Sequence, residues 1–146
     1  MKSTVRFARP TDVIHNRIIR AADYVAANAE GGTNYQQHSR AILVFLFTYW
    51  EDEVRPRLAT AGSFPASDIR SDIMGDLRLL RNVILHAKGF LPADKHRSLK
   101  LLSSTFPPDT TLTISYEEMH RIFVLVKQDI ASRIIPSTAA AAGFAD

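Results

Sequence analysis

The sequence predicts an all-α fold, an antiparallel up-and-down four-helix bundle, and three observations carry that reading. Apolar residues recur at helical spacing in four segments. Capping chemistry brackets three of those segments, with Ser, Thr or Asp at their starts and Gly or Pro at or beyond their ends. The stretch between the third and fourth segments is too long for a structureless loop in a small domain, which leaves room for a short β-hairpin. The chain has 146 residues, 46% of them hydrophobic and 23% charged, enough for one buried core. It reads as a single bundle over 1–135, followed by an Ala-rich tail at 136–146 with nothing to pack against.

The first helix starts after Pro10 with Thr11 or Asp12 as cap, carries Val13, Ile14, Ile18, Ala21, Ala22 and Val25 at helical spacing, and ends at Gly31-Gly32. The second runs from Tyr35 to Ala61. Its centre, Ala41 to Phe47, is apolar on every side, which predicts a helix buried all round, and Pro56 is expected to kink or shorten its far end. The third opens with Ser67 as cap and Asp68 in its first turn and stops at Gly89, a residue suited to a left-handed C-terminal turn. The fourth begins with the capping box Ser115-x-x-Glu118 and ends before Pro136. In the connection, Leu99–Leu102 and Thr111–Ile114 are the two stretches predicted to pair as a hairpin.

Several function classes are excluded or disfavoured early. The chain has no cysteine, so neither a disulfide framework nor a thiolate metal site is available. No apolar run is long enough to span a bilayer, and the N-terminus lacks an apolar stretch of signal-peptide length, so no membrane association is expected and a cytoplasmic location is. No Gly-rich phosphate loop is present, Gly31-Gly32 being a helix stop, and no cofactor is implied. His15, His38, His96 and His120 have no partners at ligand spacing and read as surface or capping residues, so no metal is expected. Trp50, Phe45 and Phe47 read as core or interface residues. The formal charge of +3 permits a polyanionic partner without requiring one. Lys2, Arg6, Arg9, Arg17 and Arg20 make the first twenty residues basic, which reads as a solvated tail and helix face.

The third helix carries the functional signal. At about 100° per residue, Ile69, Ile73, Leu77, Leu80, Ile84 and Ala87 fall on one arc and face the core. Arg78, Arg81, Asn82 and His86 share the face turned away from it, with Met74, Leu79 and Leu85 mixed in. Cations beside large apolar residues suit a cleft or subunit contact better than open water. Arg81-Asn82-x-x-x-His86 gathers the side-chain set that metal-free ribonucleolysis needs. The RNA 2′-hydroxyl attacks phosphorus, a base takes its proton, an acid protonates the leaving 5′-oxygen, and a cation stabilises the charged phosphorane. Histidine can act as that base or acid, and the planar fork of arginine holds two phosphate oxygens. One helix supplies one imidazole, whereas a two-fold dimer would bring two to one cleft.

The same six residues resemble the signature of the HEPN superfamily, an Arg followed after four to six residues by His, often with a polar residue straight after the Arg. Arg9 and His15 also fit that loose spacing, but across Pro10, where no continuous helix holds them together. The resemblance implies a helical bundle that pairs so both motifs line a groove, and an endoribonuclease of a toxin–antitoxin or antiviral defence system that needs no metal. By that resemblance Arg81 holds the phosphate, His86 performs acid–base work and Asn82 orients substrate or imidazole. Arg78 and Lys88 would bind substrate. Tyr49-Trp50-Glu51 resembles an aromatic–acidic step in several such families, with Glu51 expected to support Arg81 or Arg78. RNA, a second copy of the chain, and an antitoxin or defence-system protein are the implied partners. In the branch inhibited by a nucleotidyltransferase antitoxin a Tyr stands two residues after the His; here that position is Lys88, which argues against that route. The alternative function is a catalytically silent bundle of the same kind that binds a nucleotide, RNA or a partner protein.

Overall fold

The computed structural model describes residues 21–142, with side chains from Val25 to Arg133. Helix α1 spans Ala21–Asn28, α2 Thr33–Tyr49, α3 Arg55–Gly62 and α4 Asp72–His86, with α5 Ala93–His96 a single turn and α6 Tyr116–Ala142 the long last helix. Two short strands, β1 (Phe90–Leu91) and β2 (Thr110–Thr111), pair antiparallel. The result is an all-α bundle with a minimal sheet in the connection between α4 and α6. The predicted cap at Thr11 or Asp12, the basic N-terminal segment, His15 and the last four residues lie outside the described residues.

Helix α4 is the centre of the core. Ile73, Leu77 and Leu80 are almost fully buried, and Leu43 of α2 and Ile122 of α6 are buried with them in the same cluster. The expected arc holds for Ile69 through Leu80, but Ile84 is half-buried and Ala87 is exposed, since the core ends one turn before the helix does. Met74 is buried rather than part of the outer face, Leu79 is half-buried, and Leu85 is half exposed.

The start of α4 differs from the prediction in an instructive way. Pro65 to Ile69 forms a 3-10 turn, with Asp68 N–H donating to Pro65 and Ile69 N–H to Ala66. Ile69 then takes an extended conformation and is buried. Helix formation therefore restarts at Ser71, whose Oγ accepts the Met74 N–H at 3.2 Å. Ser67 and Ser71 are both competent caps, and burial of Ile69 decides between them. The C-terminal stop is as expected: Gly89 has φ +85°, and its N–H donates to the Val83 carbonyl at 3.0 Å.

The second segment is one rod with a wide turn in it. Trp50–Val54 is π-helical, and Arg55 N–H reaches back to the Trp50 carbonyl. Pro56 explains the wide turn: it has no N–H for the Asp52 carbonyl, and its ring would crowd that oxygen in an α-helix. The expectation that this segment is buried all round does not hold. Leu43 is buried, but Ile42, Phe45 and Tyr49 are exposed along one stripe, with the Phe45 and Tyr49 rings stacked 6.1 Å apart. Ile42, Phe45 and Tyr49 fall on the side of the rod opposite Leu43, so apolar composition here overstated burial.

The capping box opening α6 is present in full: Ser115 N–H donates to Glu118 at 2.6 Å, and Glu118 N–H donates to Ser115 Oγ at 3.1 Å. Helix α6 continues through Pro136 to Ala142 instead of ending before it, which the high helix propensity of the Ala139–Ala142 run favours. The connection does pair as a small sheet, but β2 at Thr110–Thr111 takes Phe90–Leu91 as its partner. Leu99–Leu102 is not a strand. Leu91, Leu99, Leu102, Phe106, Leu112 and Ile114 from this connection are instead buried in the core, so it is a packed structural layer.

Candidate functional site

The outer face of α4 forms the floor of a groove of about 1030 Å³. Arg78, Asn82 and His86, spaced four residues apart, lie along it, as the helical period requires. All three side chains are exposed. One wall comes from the end of α2 and the π turn, where Phe47, Trp50, Glu51 and Arg55 line the groove. The other comes from the connection, through Pro92, Lys95, Ser98 and Lys100. Arg70, Ser71 and Asp72 close the end near the start of α4.

The predicted residues do not all meet there. Arg81 is half-buried and does not line the groove, because it sits about 60° round the helix from Arg78, on the side of Leu77. It reaches the groove's margin indirectly: its Nη1 donates to Asn82 Oδ1 at 3.0 Å, while its Nε is buried without an acceptor. Lys88 is exposed with φ +52° in the turn that ends α4, and it too lies off the groove. Glu51 lines the groove but does not support Arg78 or Arg81. Both of its oxygens lie 2.8 Å from Nη1 of Arg55, which also donates through Nε to the Ala66 carbonyl. The i,i+4 spacing on one rod gives Arg55 the shorter reach. Trp50 is buried beneath that wall, whereas Phe45, grouped with it in the sequence reading, is exposed.

The electrostatics of the groove are set by which charges are already engaged. Five cations line it, Arg55, Arg70, Arg78, Lys95 and Lys100, against the carboxylates Glu51, Asp72 and Asp76. Every one of those carboxylates has a partner. Glu51 holds Arg55. Asp72 accepts from Lys100 Nζ at 2.6 Å. Asp76, only 2% exposed, accepts the backbone N–H groups of Lys100, Leu101 and Leu102 at 2.8–2.9 Å. Arg70 and Arg78 face the groove with no carboxylate partner among the described residues, so the groove is net attractive to anions.

Sequence reasoning missed Lys95, Lys100, Arg70 and Asp76. Asp76 left a readable trace. It falls about 20° beyond Ile69 on the edge of the core arc, where a carboxylate is costly unless fully hydrogen-bonded. The cations of the connection carried no such trace, since they approach α4 only through the tertiary fold. Among the described residues no three His, Asp or Glu side chains gather as metal ligands, and no helix is long and apolar enough to cross a membrane. His96 is bonded to the Ser103 carbonyl at 2.9 Å within the connection, and His120 stacks on Tyr116. No known family model matches the chain, and no curated protein or solved structure shows a match to it.

Proposed function

We propose that the α4 groove binds RNA through its phosphates and that the chain, as a homodimer, is a metal-independent endoribonuclease of the HEPN type acting in a toxin–antitoxin or antiviral defence system. One observation carries the reading: Arg78, Asn82 and His86 line a single groove in which the cations outnumber the carboxylates and the carboxylates are engaged. A phosphodiester seated against Arg78 and Asn82 would bring its 2′-hydroxyl or 5′-oxygen toward His86. The 2′-oxygen would form a new bond to phosphorus as the bond to the 5′-oxygen breaks. The imidazole would take the 2′-hydroxyl proton or give one to the leaving oxygen, and a second copy would supply the complementary imidazole. Arg81 serves the site through Asn82, which it orients by its hydrogen bond.

The second reading, a silent RNA-binding module, is favoured by the position of Arg81 off the groove and by a single imidazole per groove. Incubating the purified chain with a structured RNA in EDTA, beside His86→Ala and Arg81→Ala, separates the two. Cleavage in EDTA that leaves 2′,3′-cyclic phosphate ends and is lost by at least about 100-fold in His86→Ala is the expected outcome. Intact RNA that is nevertheless bound by a folded dimer would select the silent module.

A further inference from the structure

Asp76 stands out among the groups that no catalytic role uses. It is a buried carboxylate on the central helix, and it accepts three consecutive backbone N–H groups from a segment about 25 residues further along the chain. Those donors belong to Lys100, Leu101 and Leu102, and Leu102 is itself fully buried. Lys100 is fastened twice, by its backbone to Asp76 and by Nζ to Asp72 one turn earlier on α4. The rest of the segment is braced from within. Asp109 accepts the Ala93 N–H at 2.9 Å and donates its own N–H to the Leu91 carbonyl at 2.7 Å. Among the described residues, Asp76 thus supplies three of the four side-chain hydrogen bonds that tie the connection to the helix carrying Arg78, Asn82 and His86, Asp72 supplying the other.

The consequence lies in the groove. The wall that Asp76 fastens is the one contributing Lys95, Ser98 and Lys100. Arg78 and His86 alone would give the helix one row of contacts. With the connection in place, Lys95 and Lys100 add cations to the lining, each on an exposed ion pair, with Asp94 and Asp72, that a phosphate can share. The lining of α4 from Asp72 to His86 covers about 21 Å of helix. That length exceeds what one small ligand spans. A ligand with several phosphates in a row would use both the helix and the connection.

We infer that Asp76 is a positioning residue that holds the connection as a second phosphate-binding wall, placing Lys95 and Lys100 at the groove that Arg78 lines so that it takes a multi-nucleotide single strand of RNA. This rests on the reading of the groove as an RNA site. Phosphate contacts of a single strand make log K fall with log salt concentration by about 0.7 for each phosphate neutralised. The salt slope therefore counts the wall's contribution in a way that a stability change does not. Asp76→Asn keeps the side-chain shape and one acceptor but replaces the carboxylate's second acceptor with a donor.

The test is fluorescence anisotropy of a labelled 12-nucleotide single-stranded RNA with 2′-O-methyl riboses, titrated with the full chain across a range of KCl concentrations. Asp76→Asn is expected to lower the slope by about 0.7 to 1.4, matching the Lys95→Ala/Lys100→Ala pair. Adding Asp76→Asn to that pair is expected to change the slope no further. Ile122→Val, a core change away from the groove, should lower Tm and leave the slope intact. A slope unchanged in Asp76→Asn, or unchanged in the Lys pair, overturns the second wall while the RNA reading stands. RNA that the unsubstituted chain does not bind at all overturns that reading, and the wall with it. Should Asp76→Asn not fold, amide exchange on the unsubstituted chain decides the matter. The N–H groups of Lys100, Leu101 and Leu102 must exchange slowly and slow further with the RNA bound; exchange at open-loop rates in both states overturns the inference.

Discussion

The two walls of the groove that meet on α4 are built by opposite means. The α2 wall belongs to a helical rod whose place is set by many apolar contacts, Leu43 and Trp50 among them. Its polar lining is tied within the same rod, by the Glu51–Arg55 pair. The wall from the connection has little regular structure: one four-residue helix and two strands of two residues each. It is held by core side chains below and, at its contact with the helix, by Asp76 through three backbone N–H groups and by Asp72 through the Lys100 side chain. A wall made by a period is robust to any single polar change. A wall made by one multiply bonded acceptor concentrates its dependence on that group.

Substitutions sharpen this contrast, beginning with the largest effect. Asp76→Ala leaves three N–H groups without their acceptor and is expected to destabilise the chain by about 3–5 kcal/mol. Denaturant unfolding measures that loss, and a cost under about 1 kcal/mol would break the comparison. Leu80→Ala, at a fully buried position on the helix itself, should cost about 2–4 kcal/mol by the same measurement. Gly89→Ala is next. Its backbone has φ +85°, and an added Cβ would stand 3.2 Å from the Arg40 guanidinium, which donates to the Leu112 carbonyl. A cost of about 1–2 kcal/mol is expected, read as a fall in Tm. Ser71→Ala removes the cap of α4 and should cost about 1 kcal/mol, whereas Ser67→Ala, at the cap position the sequence alone suggested, should cost less than about 0.5 kcal/mol. The smallest effect on stability is expected at His86: its side chain is exposed, so His86→Ala should stay within about 0.5 kcal/mol while cleavage falls sharply. A large stability loss there would recast His86 as a structural residue.

The Ser67 and Ser71 pair also shows where local reasoning runs out. Both residues offer a hydroxyl ahead of an acidic residue and an apolar run. Only the burial of Ile69, a tertiary fact, selects the second. Arg81 makes the same point at the site. Its separation from His86 is fixed by the sequence, yet its half-buried position and its bond to Asn82 depend on what packs beside Leu77. The exposed stripe of Ile42, Phe45 and Tyr49 shows the converse error, since hydrophobic composition states a preference for burial and not the neighbours available to satisfy it.

By itself the sequence determined the features that repeat or close locally. These are the helical segments, the capping box at Ser115 and Glu118, the left-handed stop at Gly89, the irregular turn before Pro56, and the alignment of Arg78, Asn82 and His86 along one face. Each follows from backbone geometry within one or two turns. The tertiary structure decided the partner of β2, the cap of α4, the pairing of Glu51 with Arg55, and the arrival of Lys95 and Lys100 at the groove that Arg78 lines. The physical reason is common to all four. A hydrogen bond or apolar contact between distant residues forms only where the core brings them together, and no local period encodes which of several competent partners will be within reach.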